Sequence, residues 1–578
     1  MSSHFPLPWW APAAALFTVA ALLLTAPAWL EPGTVVLGHA DSDAWKHLWG
    51  DAWFARELGS ALPVPTRTDQ LWAPDGGVLY NLDPLTGLGV AVLRPLLGVV
   101  LAHDLVQVAA VVLGAVGATL LAREVTGDRG SAAIAGAVYG FSAHLQAAVF
   151  ASGIGETAHV GFIPLSVWAA LRVLGGQRAM AAPMAAFLAL SAIGSWYYGT
   201  VTSLVATVVV IAVLVPRLRR GERPWDRLGA LVLGVVGALV LVAPFAWAFL
   251  GTFGEEQLHG VGAVGKVAEE FDPSHSFAVA TLRDLLVPGH RIQDRVDLLF
   301  FSNHPGFIVP ALALLAAFAG TGRARAIAAA TALAGLLVLG PTVHLDRGLP
   351  LAPNPPFRLL QSVWPTFDMV RNIERLQVAF TLGLGVLGAQ GLAWLGDRWA
   401  LRGRQRTGIG LLLAAVVIVE GNLVSGLGAP LPTASTRVSP VFDRIGEESG
   451  DFAVIQLPAD DTAGGRPFWQ QVHHRRPLPM NLDGSPAPSL RDNALLSVLM
   501  PDPAHNRHFM GLRLGTVDDA TLRAEGARLH ASGFRYVLLD ESAGAQPGLE
   551  AVLRRCCGEP VDADPAAALR VWALPAVR

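Results

Sequence analysis

Two carboxylates lie close together shortly after the first apolar segment of the chain. Asp41 and Asp43 are separated by one serine, and an aromatic-rich stretch beginning at Trp45 follows them. Carboxylates in this arrangement can bind a divalent cation such as Mg²⁺ or Mn²⁺ through oxygen, or accept a proton from an attacking hydroxyl group. A structural interpretation also stays open, because either aspartate can cap the helix that follows.

A second polar pair precedes a later apolar segment. Glu156 and His159 are three residues apart at the entrance to a predicted helix, so they are expected on one face of it. They can complete a cation site or hold an acceptor substrate. An ordinary polar turn at the membrane surface is the alternative.

Two arginines stand one turn apart before another apolar segment. A guanidinium group matches a pair of phosphate oxygens, so Arg371 and Arg375 are candidate ligands for a lipid phosphate. Pairing with Asp368 or Glu374 is the structural alternative.

Aromatic residues near these polar groups have two open interpretations. Trp45 and Tyr198 can stack on the face of a sugar. They can equally belong to an aromatic belt at the membrane surface, which is the more common role of such residues.

The composition identifies the kind of protein that must position these groups. The chain has 578 residues, of which 52% are hydrophobic and 15% charged, with a mean hydropathy of +0.46. Soluble domains carry ~25% charged residues. The net charge of −3 argues against nucleic acid as the main partner, and two cysteines exclude a disulfide scaffold. A polytopic membrane protein with a soluble part remains.

Eleven segments are long and apolar enough to predict membrane helices, since a bilayer core needs about 20 residues. They are Pro8–Leu30, Leu105–Leu121, Ala132–Gly153, Val160–Leu174, Ala181–Ser195, Gly199–Val215, Leu228–Leu250, Gly306–Gly320, Ala326–Val343, Leu376–Leu395 and Ile409–Val424. A further apolar stretch, Leu85–Ala102, is interrupted by Arg94 and Pro95, and we interpret it as an interfacial helix.

The arginines of alternate short loops predict the orientation. They place the N-terminus in the cytoplasm of a bacterial inner (plasma) membrane, with outer loops at 31–104, 251–305 and 344–375. The predicted fold class is therefore mainly α: a transmembrane bundle over residues 1–428, followed by a small exoplasmic α/β domain over 429–578. In that tail, Phe452–Leu457, Tyr536–Leu539 and Leu569–Leu574 are predicted strands, and Asp519–Ser532 is a predicted helix.

This layout resembles the GT-C superfamily of integral-membrane glycosyltransferases. An acidic first outer loop, many later spans and a closing soluble domain follow one another in the same order. Three short motifs, Leu71–Gly77, Tyr139–Ser142 and Met369–Arg375, are similar to those of the bacterial subgroup that includes YfhO-like proteins.

The resemblance implies a function. Asp43 would be the catalytic base, with Asp41 as its partner or as a metal ligand beside Glu156 and His159. The donor would be a polyprenyl-phosphate sugar, and the acceptor a glycan, a lipid or a protein. A single base implies inversion at the anomeric carbon. A non-catalytic accessory protein and a lipid or glycan transporter remain alternatives, although the chain shows no inverted repeat of the kind found in transporters.

Overall fold

The computed structural model describes most of the chain. The described residues are 8–59, 65–78, 83–222, 225–250, 279–289, 302–346, 348–364, 373–458, 466–480, 486–500, 517–541 and 548–576.

Apolar helices form the first two thirds of the structure, and each of the eleven predicted spans overlaps one or more of them. They are α1 (Ala11–Leu24), α2 (Ala26–Leu30), α4 (Pro84–Thr126), α5 (Arg129–Gly140), α6 (Ala143–Leu145), α7 (Phe162–Leu174), α8 (Ala181–Gly194), α9 (Trp196–Arg219), α10 (Trp225–Leu250), α12 (Ile308–Ala319), α13 (Gly322–Val338), α15 (Gln377–Arg398) and α16 (Gly403–Ser425). Seven helical stretches within the described residues are long and apolar enough to cross a membrane, and three shorter apolar helices accompany them. The chain is a membrane protein with a mainly helical fold, as its sequence predicts.

Helix α4 joins two segments that the sequence separates. It contains both the predicted interfacial stretch and the second predicted span. Its helical geometry breaks at Gly98, where φ is 75° and ψ is 171°, three residues after Pro95. Proline cannot donate an intrahelical hydrogen bond, and glycine accepts a positive φ without steric cost. The two residues explain why α4 consists of two helices that meet at a kink here.

An irregular segment lies between α5 and α7. Helix α6 continues into a π-helix, Gln146–Ala151, and then into a seven-residue 3₁₀ helix, Gly155–Gly161. We call Gly155–Gly161 the hub segment. Every residue of the π-helix and all but Glu156 of the hub segment are buried. π-helical turns are rare and concentrate at functional sites.

Shorter elements lie between the apolar helices and in the tail, residues 429–578. Those before the tail are β1 (Val35–Leu37), α3 (Ala44–Glu57), β2 (Arg67–Thr68), β3 (Gly77–Val78), α11 (Leu282–Leu286), β4 (Thr342–Asp346), β5 (Leu349–Pro353) and α14 (Pro355–Val363). Those of the tail are β6 (Thr433–Ser435), α17 (Pro440–Glu447), β7 (Ala453–Leu457), α18 (Arg466–His474), α19 (Ala494–Leu499), α20 (Asp519–Ala531), β8 (Phe534–Asp540), α21 (Leu549–Cys557), β9 (Asp562–Asp564) and β10 (Leu569–Ala573).

The tail contains a four-stranded sheet in the order β7-β8-β10-β9. Strands β7 and β8 are parallel, and the other neighbours are antiparallel. The three predicted strands and the predicted helix coincide with β7, β8, β10 and α20. The sheet and its helices make the tail an α/β structure, as expected.

The core of the tail also takes in aromatic residues from the first outer loop. Trp49, Trp53 and Trp72 are each at most 2% exposed and pack in the same hydrophobic cluster as the strands of the tail. Strand β1 pairs with β6, with Val35 opposite Ser435. The predicted boundary at residue 428 therefore does not separate two hydrophobic cores.

Glu420 in α16 has a structural explanation. Its carboxylate accepts hydrogen bonds from the backbone N–H groups of Phe307 at 2.9 Å and Ile308 at 3.1 Å. These groups lie at the N-terminus of α12, whose first N–H groups have no partner within the helix. Glu420 therefore caps a neighbouring helix.

Candidate functional site

Helix α3 presents the first predicted aspartates. Asp43 occupies the N-cap position, but its side chain makes no capping hydrogen bond. Instead its carboxylate lies 3.1 Å from Lys46 Nζ. Asp41 faces the imidazole of His39, with 3.8 Å between Oδ2 and Nδ1, and its side chain is 40% exposed. Both carboxylates thus remain accessible to solvent in part, as acids that meet a substrate must be.

Trp45 has a different place from the one predicted. It is 1% exposed and packs against Val36, Leu48 and Val100. Its indole N–H donates to the carbonyl oxygen of Ala40 at 2.8 Å. Because its ring is enclosed by apolar side chains, Trp45 supports the loop that carries the two aspartates.

The hub segment brings a glutamate into contact with two cationic side chains. Glu156 Oε1 lies 2.9 Å from Arg375 Nη2, and its Oε2 lies 3.3 Å from His47 Nε2. His47 follows Asp43 by four residues in α3, so both face the same side of the helix. A Cβ atom at Gly155 would lie only 3.0 Å from His47 Nδ1. Glycine at this position therefore permits the close approach of α3.

Arg375 is the cation at the centre of this group. It is 8% exposed, and its guanidinium carbon lies 4.4 Å from the ring centre of Tyr197 and 5.8 Å from that of Tyr198. Its Nη1 has no hydrogen-bond partner among the described residues. A buried guanidinium with a donor to spare is suited to bind an anion, because low local polarity strengthens the interaction.

Tyr198 was predicted to meet a sugar or the membrane surface. It is 1% exposed, and its hydroxyl lies 3.1 Å from Thr157 Oγ1 of the hub segment. In this structure its ring lies beside the guanidinium group of Arg375. Arg371, the second predicted phosphate ligand, lies outside the described residues.

His159, at the other end of the hub segment, contacts a different acid. Its Nε2 lies 3.1 Å from Asp83 Oδ2 and 2.8 Å from Thr86 Oγ1. Asp83 also caps α4 by accepting from the backbone N–H groups of Leu85 and Thr86. Burial raises the pKa of Asp83, but the contacts with His159 and Thr86 outweigh burial and hold the pKa below its ordinary value.

A third buried pair joins an aspartate of α3 to a histidine of α4. Asp51 Oδ2 contacts His103 Nδ1 at 2.6 Å. Burial raises the pKa of Asp51 above its ordinary value, and the histidine contact opposes that shift. This pair joins α3 to α4 and therefore helps to fix the helix that carries Asp43.

The predicted metal ligands do not form one group. Glu156 pairs with Arg375 and His159 pairs with Asp83, while Asp41 faces His39. Across the described ranges, no three His, Cys, Asp or Glu side chains gather as a cation site. Among the described residues, the predicted ligands therefore do not form a site for a resident Mg²⁺ or Mn²⁺.

Three residues of this site were missed from sequence, although signals for them existed. His47 stands one turn after Asp43. Asp83 immediately precedes Pro84, a combination typical of a helix start. Lys46 is one of two lysines in the chain, the other being Lys266. His47 and Asp83 needed a partner from another part of the chain before a role became evident, whereas Lys46 pairs with Asp43 in the same helical turn.

No protein-family model matches this sequence, and no curated protein matches it. Solved structures do share its fold. The mycobacterial arabinofuranosyltransferase AftD is 16% identical with a TM-score of 0.56, over 100% of this chain and 40% of that protein. The Archaeoglobus fulgidus oligosaccharyltransferase tethered with an acceptor peptide is 13% identical with a TM-score of 0.50, over 96% of this chain and 72% of that protein.

One neighbour is an arabinofuranosyltransferase and the other an oligosaccharyltransferase. At such low identity the similarity concerns the fold and not the substrate. The chain shares the fold of these two glycosyltransferases.

Proposed function

We propose that this protein is a membrane glycosyltransferase that moves a sugar from a polyprenyl-phosphate donor to an acceptor glycan, lipid or protein. One observation carries the proposal: a buried arginine with a spare donor, Arg375, pairs with Glu156, which contacts α3 one turn from Asp43. The fold that the chain shares with an arabinofuranosyltransferase and an oligosaccharyltransferase supports it.

In the proposed reaction, Asp43 takes the proton from the acceptor hydroxyl group. The acceptor oxygen attacks the anomeric carbon from the side opposite the phosphate. The new glycosidic bond forms as the bond from the anomeric carbon to the phosphate oxygen breaks, and the electron pair leaves with the phosphate. One displacement by one base gives inversion of configuration.

Charge balance assigns roles to the neighbouring cations. In the ground state Lys46 neutralises Asp43 at 3.1 Å. As Asp43 takes up the proton, the ammonium group of Lys46 remains beside it, and its positive charge favours the negative charge that develops on the departing phosphate. Nη1 of Arg375 supplies a hydrogen bond to the same group. Interactions that strengthen as the reaction proceeds are those that accelerate it.

The finer parts of the proposal rest on sequence. The alternation of arginine loops supports a cytoplasmic N-terminus and transfer at the outer face, and the resemblance to a bacterial subgroup supports a bacterial inner (plasma) membrane. The short motifs, among them Leu71–Gly77, support membership of the YfhO-like subgroup. Asp41 is proposed as the partner of Asp43. A dependence on a divalent cation is a separate question, answered by adding EDTA to the assay described next.

The test is donor turnover by the full chain in lipid nanodiscs. The probes are undecaprenyl-phosphate-linked arabinofuranose, mannose and glucose, with a membrane glycolipid extract as the acceptor and release of undecaprenyl phosphate as the readout. Asp43→Asn should lower turnover by about 10²–10⁴-fold, the usual worth of a general base.

Asp397→Asn is the matched control. Asp397 lies in the last turn of α15, is 75% exposed and pairs with Arg406 of α16. Its turnover should equal that of the wild type. Equal turnover by Asp43→Asn would remove the assigned base. Absence of turnover and of donor binding by the wild type with all three probes would overturn the function itself.

A further inference from the structure

A second polar cluster lies next to Arg375, inside the helical bundle. His144 in α6, Asn303 before α12 and Gln377 in α15 are each at most 2% exposed. His144 Nδ1 lies 3.2 Å from Asn303 Oδ1, and Gln377 Nε2 donates to the backbone carbonyl of Asn303 at 2.9 Å. The guanidinium of Arg375 interacts electrostatically with His144.

Each side chain of this cluster keeps a buried polar atom without a partner among the described residues. These atoms are His144 Nε2, Asn303 Nδ2 and Gln377 Oε1, and Arg375 Nη1 adds a fourth. Buried polar atoms are nearly always hydrogen-bonded in native proteins. Four such atoms on three neighbouring elements indicate a missing partner.

The chemistry of that partner follows from the donors and acceptors that remain. If His144 donates to Asn303 Oδ1, its Nε2 is left as an acceptor and the asparagine NH₂ as a donor. If the amide is turned over, the two roles exchange. Either way the pair leaves one donor and one acceptor. Gln377 Oε1 is an acceptor in both cases, because its NH₂ group is bonded to a carbonyl.

A phosphate group does not match this set. Ionised phosphate oxygens only accept hydrogen bonds, and they would face the acceptor Gln377 Oε1. A hydroxyl group both donates and accepts, so several neighbouring hydroxyl groups satisfy all of these atoms. Polar side chains held inside a membrane bundle are costly and usually functional. The π-helix that begins directly after this cluster at Gln146 fits the same interpretation.

We infer that His144, Asn303 and Gln377 form a subsite for the hydroxyl groups of a sugar ring, beside the anion-binding guanidinium of Arg375. The inference rests on the proposed function and adds to it the place where the transferred sugar is recognised. In that arrangement the arginine binds the phosphate group, and the polar cluster binds the hydroxyl groups of the sugar.

The experiment compares two lipids on the full chain in nanodiscs: undecaprenyl phosphate, and the glycosylated undecaprenyl phosphate that binds best among the arabinofuranosyl, mannosyl and glucosyl forms. The wild type should bind the glycosylated lipid at least tenfold more tightly. Asn303→Leu and Gln377→Leu should each reduce this preference about tenfold and leave the affinity for undecaprenyl phosphate unchanged. Arg375→Gln should reduce the affinity for both lipids by the same factor.

His344→Phe is the matched control. His344 is a buried histidine with an unpartnered nitrogen, but it lies on β4, and its replacement should leave the preference intact. Monodeoxy versions of the best sugar, offered to the unaltered protein, give the same measure without any substitution. At least one should bind tenfold more weakly, because a site built for a hydroxyl group rejects a ligand that lacks it.

The outcomes separate the two proposals. An unchanged preference in both leucine variants, or equal binding of every monodeoxy sugar, means that ordered water alone fills the cluster and overturns the subsite. A wild type that binds neither lipid overturns the proposed function instead.

Discussion

The two ends of the hub segment hold similar residues in opposite situations. At one end, Glu156 contacts His47 and Arg375 and leaves Arg375 Nη1 without a partner in the described structure. At the other end, Asp83 meets His159, the hydroxyl group of Thr86 and two backbone N–H groups. Each contact pairs an acidic side chain with a basic one, and the two hub-segment residues, Glu156 and His159, are three residues apart.

The difference indicates which contact serves the fold and which serves a ligand. The buried carboxylate of Asp83 has all its hydrogen bonds made within the protein. Its role is therefore structural, and it connects the hub segment to α4. A buried cation with a donor to spare is stable only if something else completes it. Sequence places Glu156 and His159 together as one candidate site, whereas their partners divide them.

The structural end should give the largest loss of stability. Asp83→Ala leaves His159 without its acid and removes the cap of α4. Breaking a buried ion pair costs about 3–5 kcal/mol, so thermal unfolding in detergent should move to a much lower temperature. Asp518→Ala, at the exposed N-cap of α20, is the control and should cost about 1 kcal/mol. Equal losses in the two variants would show that the Asp83 contact is not special.

The ligand end should give the largest loss of activity with little loss of fold. Arg375→Gln removes the donor that we propose binds the leaving phosphate, and turnover should fall by about 10²–10³-fold, as for other preorganised donors. Arg172→Gln, which removes a half-buried pair with Glu124, is the control and should retain full turnover. If the Arg375→Gln variant keeps wild-type turnover, the Arg375 end of the hub segment does not serve the reaction, and the proposed difference between the two ends is wrong.

Acid should weaken the structural end selectively. The pKa of Asp83 in the folded protein lies below its ordinary value, which is about 3.9 in unfolded chains. Its contribution to stability is therefore complete above that pH and is lost as the pH falls towards the folded-state pKa. The difference in unfolding temperature between wild type and Asp83→Asn should therefore shrink as the pH falls below 4. A difference that does not shrink below pH 4 would contradict the assignment.

The contact between α3 and the tail should give a smaller effect. Trp49 Nε1 donates to Gln471 Oε1 at 2.8 Å, and Trp49→Phe leaves that oxygen buried without a donor. The expected loss is about 1–3 kcal/mol in the free energy of unfolding. Trp247→Phe, at an 81% exposed position of α10, should lose almost nothing. Similar values for both would mean that the indole hydrogen bond adds nothing to the α3–tail contact.

Much of the fold could be predicted because it depends on local patterns. Runs of apolar residues locate the helices, and short apolar segments in the tail locate β7, β8 and β10. The kink at Gly98 was signalled in part by Pro95, three residues earlier. Hydropathy reports where a helix is apolar and not at which residue its backbone breaks.

The site was less predictable because its pairs join distant parts of the chain. Glu156 and Arg375 were both identified as candidates, but their mutual contact depends on tertiary packing. Trp45 looked like a sugar-binding ring, since its burial in a cluster with Val100 of α4 and Trp469 of the tail leaves no local trace in the sequence. His47 was missed for the same reason: its partner Glu156 comes from another element.

The shared core of the first outer loop and the tail has a consequence for biosynthesis. Ribosomes add ~5–20 residues per second, and Gln471 follows Trp49 by 422 residues, so the two meet only after roughly 20–80 s. During that interval Trp49, Trp53 and Trp72 have been translated but lack their cover. The newborn chain therefore needs a chaperone, or the membrane surface itself, to shield these rings until translation has nearly finished.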